Sequence, residues 1–259
     1  MHIILAYIKF LWRSSNQHGV HSPFVYNLVT RCFYDKKKKP AYEKIKEYRR
    51  SLLKNAESIE VTDFGAGSRV FRSDTRKVSA IAKNAGITPS RARLLNRLIP
   101  YLNIKNVLEI GTSVGIGTAA MAAGNDIKIT TIEGCPETAR VAKENLRKHG
   151  FQEIDFKIGE FDSVLKNIIS ETEKAKFDLV YFDGNHQKEA TLSYFEKLLP
   201  TAHNDTVFIF DDIHWSAEME EAWEEIKKHP AVKVTIDTFF WGFVFFRREQ
   251  EKEHFVIRP

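Results

Sequence analysis

The sequence predicts an α/β protein whose mostly parallel sheet has seven strands, the last of them antiparallel, with helices on both faces. From Asn106 onward, short β-rich segments alternate with amphipathic segments of helical length. Such alternation is typical of a parallel sheet covered by helices. The first hundred residues lack it and are expected to be mostly helical and irregular. We therefore divide the chain into an N-terminal helical cap or substrate region, residues 1–85, and an α/β domain, residues 86–259.

Individual strands and helices follow from local composition and capping residues. The predicted strands are Asn106–Ile110, Lys128–Ile132, Ile154–Ile158, Phe177–Phe182, Thr206–Phe210, Val232–Asp237 and Phe243–Phe246. The helices expected between them are Pro136–His149, Lys188–Leu199 and Ser216–His229. The last two strands are too close for a crossover helix, since a parallel pair needs about a dozen connecting residues. They are therefore expected to form an antiparallel hairpin that turns at Trp241-Gly242.

Composition and charge limit the class of protein. The chain has 259 residues, of which 43% are hydrophobic and 28% charged, as expected for a soluble domain with a real core. The net charge of +5 permits a nucleic-acid partner, but the one dense basic run, Lys36–Lys39, is typical of a solvated loop, so nucleic acid is disfavoured. Two isolated cysteines, Cys32 and Cys135, indicate neither disulfides nor zinc and favour a cytoplasmic location.

The N-terminal segment Met1–Trp12 is apolar but shorter than the roughly 20 residues that span a bilayer. It contains Lys9 and lacks a cleavage signal, so no membrane span or signal peptide is expected. We expect an amphipathic helix packed on the rest of the chain, with binding to a membrane surface as the alternative. The next segment, His18–Phe24, either lines a pocket or starts a helix with Ser22 as its cap and Pro23 in first position, and the helix start is favoured.

The strongest motif is the glycine-rich segment Val107–Gly117, VLEIGTSVGIG, which follows a strand and opens a helix. Glycines let a ligand approach the backbone, whose N–H groups can bind a polar or anionic group. Glu109 precedes Gly111 by two residues, and Gly115 follows by four. A purely structural turn is the alternative. A second glycine-rich segment, Asp63–Ser68, lacks a third glycine and a following amphipathic helix, so we expect a surface loop there.

The E-x-G-x-x-x-G spacing and the terminal hairpin resemble the class I S-adenosylmethionine-dependent methyltransferases, which have a Rossmann-like sheet. The resemblance implies that Glu109 faces the ammonium end of S-adenosylmethionine. It also implies that Glu133, after the second strand, accepts the ribose hydroxyls, although dinucleotide enzymes share that device. After the third strand, Glu160 would meet the adenine amino group, or it belongs to the acidic first turn of the next helix. The other cofactor-binding positions implied are Gly111, Thr112, Ser113, Gly115, Gly159, Phe161 and Asp183.

Acidic residues end the fourth and fifth predicted strands, at Asp183 and at Asp211-Asp212. The segments FDLVYFDGNH and VFIFDD resemble the metal-dependent O-methyltransferases of the catechol, caffeoyl-coenzyme A and antibiotic-sugar types. That resemblance, from Ala85 to Arg247, implies that these three aspartates bind a divalent cation such as Mg²⁺, which prefers oxygen ligands. The alternative is that they cap the helices that follow.

Together these features imply transfer of a methyl group to a hydroxyl of a small molecule, with Asp183 at the reacting end and His186 or His214 taking the proton. A nucleic-acid methyltransferase is an alternative that the pI of about 9.0 favours, but the chain lacks the D/N-P-P-Y motif after its fourth strand. A catalytically silent scaffold is a second alternative. An NAD-linked oxidoreductase is disfavoured by the loop spacing and the hairpin. The sequence leaves open the acceptor and whether the chain is a monomer or a homodimer.

Overall fold

The computed structural model describes residues 2–62, 74–171 and 176–259. These fall into two compact units, one of residues 37–171 and one that combines residues 1–36 with residues 172–259. The segment Asp63–Ser68 lies outside the described residues. Within the described ranges, no helix is long and apolar enough to cross a membrane. The boundary at residue 85 stays a prediction.

Residues 2–36 are mostly helical. In chain order they form α1 (His2–Arg13), a 3₁₀ turn (Gln17–Gly19), α2 (Pro23–Leu28) and a π-helical turn (Val29–Phe33). The Oγ of Ser22 accepts a hydrogen bond from the N–H of Val25 at 3.4 Å, and Pro23 occupies the first helical position. The predicted helix start is therefore confirmed.

The described part of residues 37–171 contains three parallel strands. The elements are α3 (Pro40–Lys54), β1 (Ser58–Glu60), β2 (Thr75–Lys77), α4 (Val78–Asn84), α5 (Pro89–Tyr101), β3 (Asn106–Ile110), α6 (Ile116–Ala122), β4 (Lys128–Glu133), α7 (Pro136–Lys148), β5 (Ile154–Ile158) and α8 (Phe161–Glu171). β4 pairs in parallel with β3 on one side and β5 on the other. β1 and β2 form a separate antiparallel pair, which the sequence analysis did not predict.

The C-terminal segment contains five strands. Its elements are β6 (Leu179–Phe182), α9 (Lys188–Leu198), a 3₁₀ turn (Leu199–Thr201), β7 (Val207–Asp211), α10 (Ala217–Lys228), β8 (Val234–Asp237), β9 (Trp241–Phe245) and β10 (Glu253–Val256). β6 and β7 are parallel, and β9 lies antiparallel between β7 and β8. The mostly parallel α/β fold and the antiparallel hairpin are thus confirmed.

Two details of the hairpin region correct the prediction. The last strand of the chain is β10, which pairs in parallel with β8 and was not predicted. The turn is not at Trp241-Gly242, because β9 begins at Trp241. A Cβ on Gly242 would lie 2.7 Å from the ring of Trp223, so this glycine lets an indole pack against the strand backbone. The chain turns at residues 238–240 instead, where Phe239 has a φ of 73°.

The central strands of this unit, β6 and β7, do not alternate between polar and apolar residues, because both of their faces are buried in the core. Every residue of β6 and β7 is buried, as expected for strands covered on both faces. The rings of Phe182 and Phe210 stack with centroids 4.2 Å apart. Continuous apolar runs therefore lead directly to Asp183 and Asp211 at the strand ends.

His214 connects α10 to the end of β8. Its Nδ1 lies 2.7 Å from Oε1 of Glu220, and its Nε2 lies 2.9 Å from Oδ2 of Asp237. The ring also stacks on Phe239, with centroids 5.2 Å apart. Burial lowers the pKa of His214, but the hydrogen bonds and charges of Asp237 and Glu220 outweigh burial, so its pKa is raised overall. The imidazolium form is therefore the one that this arrangement stabilises.

We predict that His214→Gln lowers the free energy of unfolding by about 1.5–3 kcal/mol near pH 6, the range for hydrogen bonds to charged groups. The loss should shrink near pH 9. A histidine whose pKa is higher in the folded than in the unfolded protein stabilises the fold while it is protonated. This stabilisation is fully present below the ordinary histidine pKa of about 6.5, and it is lost as the pH rises through the pKa of the folded state. Urea unfolding at both pH values measures this, with the exposed His18 as control through His18→Gln. A loss of equal size at both pH values would contradict the assignment.

Candidate functional site

The glycine-rich loop joins β3 to α6 in a conformation that needs its glycines. Gly111, Ser113 and Gly115 have φ values of 96°, 49° and 79°, all in the left-handed region. A Cβ on Gly115 would also lie 2.7 Å from the Oη of Tyr48. Both the backbone angle and the available space therefore favour glycine at this position.

Tyr48 of α3 is a residue of this site that the sequence did not reveal. Its hydroxyl donates a hydrogen bond of 2.7 Å to the carbonyl of Val114, and its side chain is fully buried. Burial and the nearby charge of Glu109 raise the pKa of Tyr48, so the hydroxyl remains a neutral donor. No local motif marks it, because it lies 66 residues before the carbonyl that it binds.

Glu109 lies in the interior beneath the loop, only 1% exposed. Its Oε2 accepts hydrogen bonds from the hydroxyls of Thr118 at 2.5 Å and Thr131 at 2.6 Å. The hydroxyl of Thr112 lies 2.6 Å from that of Thr131, which extends the network into the loop. Burial raises the pKa of Glu109 to about 7, against the lowering effect of the two threonine hydrogen bonds. A cation bound nearby would favour the ionised form.

Glu133, the last residue of β4, holds two backbone segments with one carboxylate. Its Oε2 accepts a hydrogen bond of 2.8 Å from the N–H of Ser113, and its Oε1 accepts one of 3.0 Å from the N–H of Cys135. The carboxylate thereby ties the glycine-rich loop to the start of α7. A carboxylate has about four acceptor sites, so these bonds leave capacity for hydroxyl donors.

The segment after β5 is also anchored to Glu133. The N–H of Gly159 donates a 3.0 Å bond to the carbonyl of Glu133, and Gly159 has a φ of 146°. Glu160 caps α8, because its carboxylate accepts hydrogen bonds from the N–H groups of Asp162 and Ser163 at 3.0 and 2.9 Å. These bonds support the alternative that Glu160 belongs to the start of the next helix. Phe161 is half-buried.

The acidic strand ends lie in the other unit. Asp183 follows β6, and its Oδ2 accepts a 3.1 Å hydrogen bond from the hydroxyl of Tyr181. Asp211 is buried at the end of β7, and Asp212 follows with a φ of 54°. The Oγ of Ser216 caps α10, and the side chain of Gln187, the N-cap residue of α9, makes no capping hydrogen bond. Ser216 therefore occupies the cap position of α10 that the alternative assigned to Asp211 and Asp212, whereas a capping role of Asp183 stays a prediction.

The Mg²⁺ site at the three aspartates stays a prediction. Among the residues that the structure describes, no group of three or more histidine, cysteine, aspartate or glutamate side chains has an arrangement that could hold a metal ion. A divalent cation needs several oxygen ligands at one point. This finding does not test a Mg²⁺ site that amide oxygens or waters complete, because Mg²⁺ usually takes only one or two carboxylates, and we derive no step through a metal.

The two histidines proposed as bases have different surroundings. Both ring nitrogens of His214 form hydrogen bonds with carboxylates, and these bonds join α10 to β8. A catalytic role of His214 stays a prediction. His186 is half-buried in the loop between β6 and α9. Beside it, the Nδ2 of Asn185 donates to the hydroxyl of Tyr194 at 3.2 Å. The Oδ1 of Asn185 is buried and accepts no hydrogen bond from any described residue. The sequence did not indicate Asn185 as a candidate site residue.

The sequence is similar to proteins that are named as O-methyltransferases. Catechol O-methyltransferase of Niastella koreensis is 25% identical over 130 residues, which are 49% of this chain and 58% of that protein. Caffeoyl-CoA O-methyltransferase 1 of Eucalyptus globulus is 25% identical over 130 residues, covering 49% of this chain and 52% of that protein. The chain thus spans less than two thirds of the length of either relative.

A solved structure shows the same fold. The O-methyltransferase from Bacillus cereus, determined in complex with SAH, superposes with a TM-score of 0.57 at 18% identity. The superposition covers 82% of this chain and 93% of that chain. The Rossmann-like methyltransferase fold expected from the sequence is therefore confirmed.

The matched region extends beyond the glycine-rich loop. A sequence profile described as O-methyltransferase matches residues 69–238, which is more than half of the chain. That range includes Glu109, Glu133 and the acidic strand ends. The chain belongs to the O-methyltransferase family.

Proposed function

We propose that this protein transfers the methyl group of S-adenosylmethionine to a hydroxyl of a small molecule. The observation that carries the proposal is the double hydrogen bond of Glu133 to the N–H groups of Ser113 and Cys135. It holds an acidic side chain beside a left-handed, glycine-dependent loop. Such a pair can bind the two polar ends of a nucleoside cofactor, the ribose and the charged amino-acid group.

The cofactor is assigned to residues 37–171. The backbone of Gly111, Thr112, Ser113 and Gly115 would bind the amino-acid end, and Glu133 would accept the ribose hydroxyls. Glu109, with a pKa of about 7, would be held ionised by the ammonium group of the cofactor. Gly159 and Phe161 would lie beside the adenine. Both carboxylate oxygens of Glu160 already accept hydrogen bonds from the start of α8, so we expect Glu160 to contribute less to adenine binding.

The acceptor is assigned to the loop after β6. The acceptor hydroxyl attacks the methyl carbon, the carbon–sulfur bond breaks, and an ether and S-adenosylhomocysteine form. The hydroxyl proton must pass to a base, for which Asp183 and His186 are the proposed groups. The buried, unpaired Oδ1 of Asn185 supports a polar ligand at this loop, because an unsatisfied buried acceptor costs about 1–3 kcal/mol.

The remaining assignments are also proposals. Residues 1–85 are proposed as the cap that helps to select the acceptor. A cytoplasmic location is inferred from the two isolated cysteines. Curated relatives are named for catechol and for caffeoyl-CoA, which makes small aromatic hydroxyl compounds the first acceptors to test.

Glu133→Gln should weaken binding of S-adenosylhomocysteine about tenfold to a hundredfold, since hydrogen bonds to a charged group contribute about 1.5–3 kcal/mol. Isothermal titration calorimetry measures the change. Glu137→Gln is the matched control, because Glu137 is an exposed residue in the first turn of α7. A folded Glu133→Gln protein that binds with the affinity of the wild type would exclude Glu133 from the cofactor site.

Methyl transfer from labelled S-adenosylmethionine to a panel of catechols tests the activity itself, with added Mg²⁺ and after chelation. Asp183→Asn should lower kcat about 10²–10⁴-fold, the range for loss of a general acid or base. Asp205→Asn is the control, because Asp205 is an exposed residue near the start of β7. Full activity in Asp183→Asn would remove Asp183 from the mechanism, and no transfer to any hydroxyl compound would refute the proposed acceptor class.

A further inference from the structure

Helix α1 presents a second apolar face to solvent. Its inner face, with Ala6 and Phe10, packs against Phe239. Six large hydrophobic side chains on the helix are 40–91% exposed. Tyr7 packs edge-on against Phe239, and the other five are Ile4, Leu5, Ile8, Leu11 and Trp12. Their spacing of one, four, seven and eight residues from the first places them on one side of the helix. We call these five residues the outer stripe.

Two exposed basic residues, Lys9 and Arg13, lie along one edge of the outer stripe. They also line a cavity together with Glu220 and Glu224. α1 contains Lys9 and Arg13 and has no acidic residue. Neither cation forms an ion pair with any residue that the structure describes. The first 40 residues of the sequence hold seven of the 39 lysines and arginines but one of the 34 acidic residues, Asp35. Acidic residues are thus scarce in this segment, although four of its seven basic residues are Lys36–Lys39, outside α1.

We propose that α1 lies on an anionic phospholipid surface, with the outer stripe in the acyl boundary and Lys9 and Arg13 at the phosphate headgroups. An apolar helix face that contains tryptophan and leucine and is bordered by lysine and arginine is the pattern of interfacial helices. Anionic headgroups attract each nearby lysine or arginine by about 1 kcal/mol. The proposal does not depend on the methyl-transfer activity.

A second copy of the chain fits the outer stripe less well. A two-fold contact places the same surface on both sides, so Lys9 and Arg13 would border a contact to which α1 brings no acidic group. A stable dimer also needs about 20–30 residues from each partner. The outer stripe provides five residues on a helix of about 18 Å.

Flotation of the full-length protein with lipid vesicles tests the proposal. We expect binding to phosphatidylcholine vesicles that contain phosphatidylglycerol, much weaker binding to phosphatidylcholine alone, and a loss of binding at high salt. Leu5→Glu should reduce the partition coefficient at least about tenfold. Leu53→Glu is the matched control, because Leu53 is an exposed leucine of helix α3. Trp12→Phe should abolish the blue shift of tryptophan fluorescence on binding.

Three results would overturn the proposal. These are no binding to the anionic vesicles, an equal loss of binding in Leu5→Glu and Leu53→Glu, and a dimer in sedimentation that Leu5→Glu dissociates. The last result would assign the outer stripe to a second copy. Circular dichroism of each variant separates a loss of binding from a loss of folding.

Discussion

The carboxylate of Glu133 is the contact on which the candidate cofactor site depends. It accepts one hydrogen bond from Ser113, which has a left-handed backbone, and one from Cys135 at the start of α7. A left-handed conformation outside glycine costs of order 1–3 kcal/mol and persists only where the surroundings hold it. Beneath the loop, Glu109 and its threonines fix the same segment from the protein interior. The loop is thus in place before any ligand arrives, which reduces the entropy that binding must overcome.

The other unit uses close packing and charge to position its strand ends. Trp223 lies against the backbone at Gly242, so β9 and α10 approach closely. His214 joins α10 to Asp237, which also accepts a 2.7 Å hydrogen bond from the N–H of Phe239. These contacts fix the hairpin after β7 and with it the backbone that follows Asp211. Buried charged groups of this kind are stable only with their partners, because removing one partner leaves the other uncompensated.

The sequence predicted the elements that have a strong local pattern. Strands such as Val207–Asp211 and helices such as Pro136–Lys148 follow from apolar runs and capping residues. β10 was missed because a four-residue segment containing Glu253 and His254 has no alternation, and its pairing with β8 decides its structure. Gly242 was misread as a turn residue because only the tertiary position of Trp223 explains it. Tyr48 and the carboxylate pair of His214 likewise depend on contacts between residues distant in sequence or in different elements.

The role of Glu133 can be seen in a crystal structure of the protein with S-adenosylhomocysteine. We predict that the ribose hydroxyls lie within about 2.5–3.2 Å of the Glu133 carboxylate oxygens, the range of hydrogen bonds. We also predict that the amino-acid end of the ligand lies against the backbone of residues 111–115. A ligand bound elsewhere, or a Glu133 side chain that makes no contact with the ribose, would contradict it.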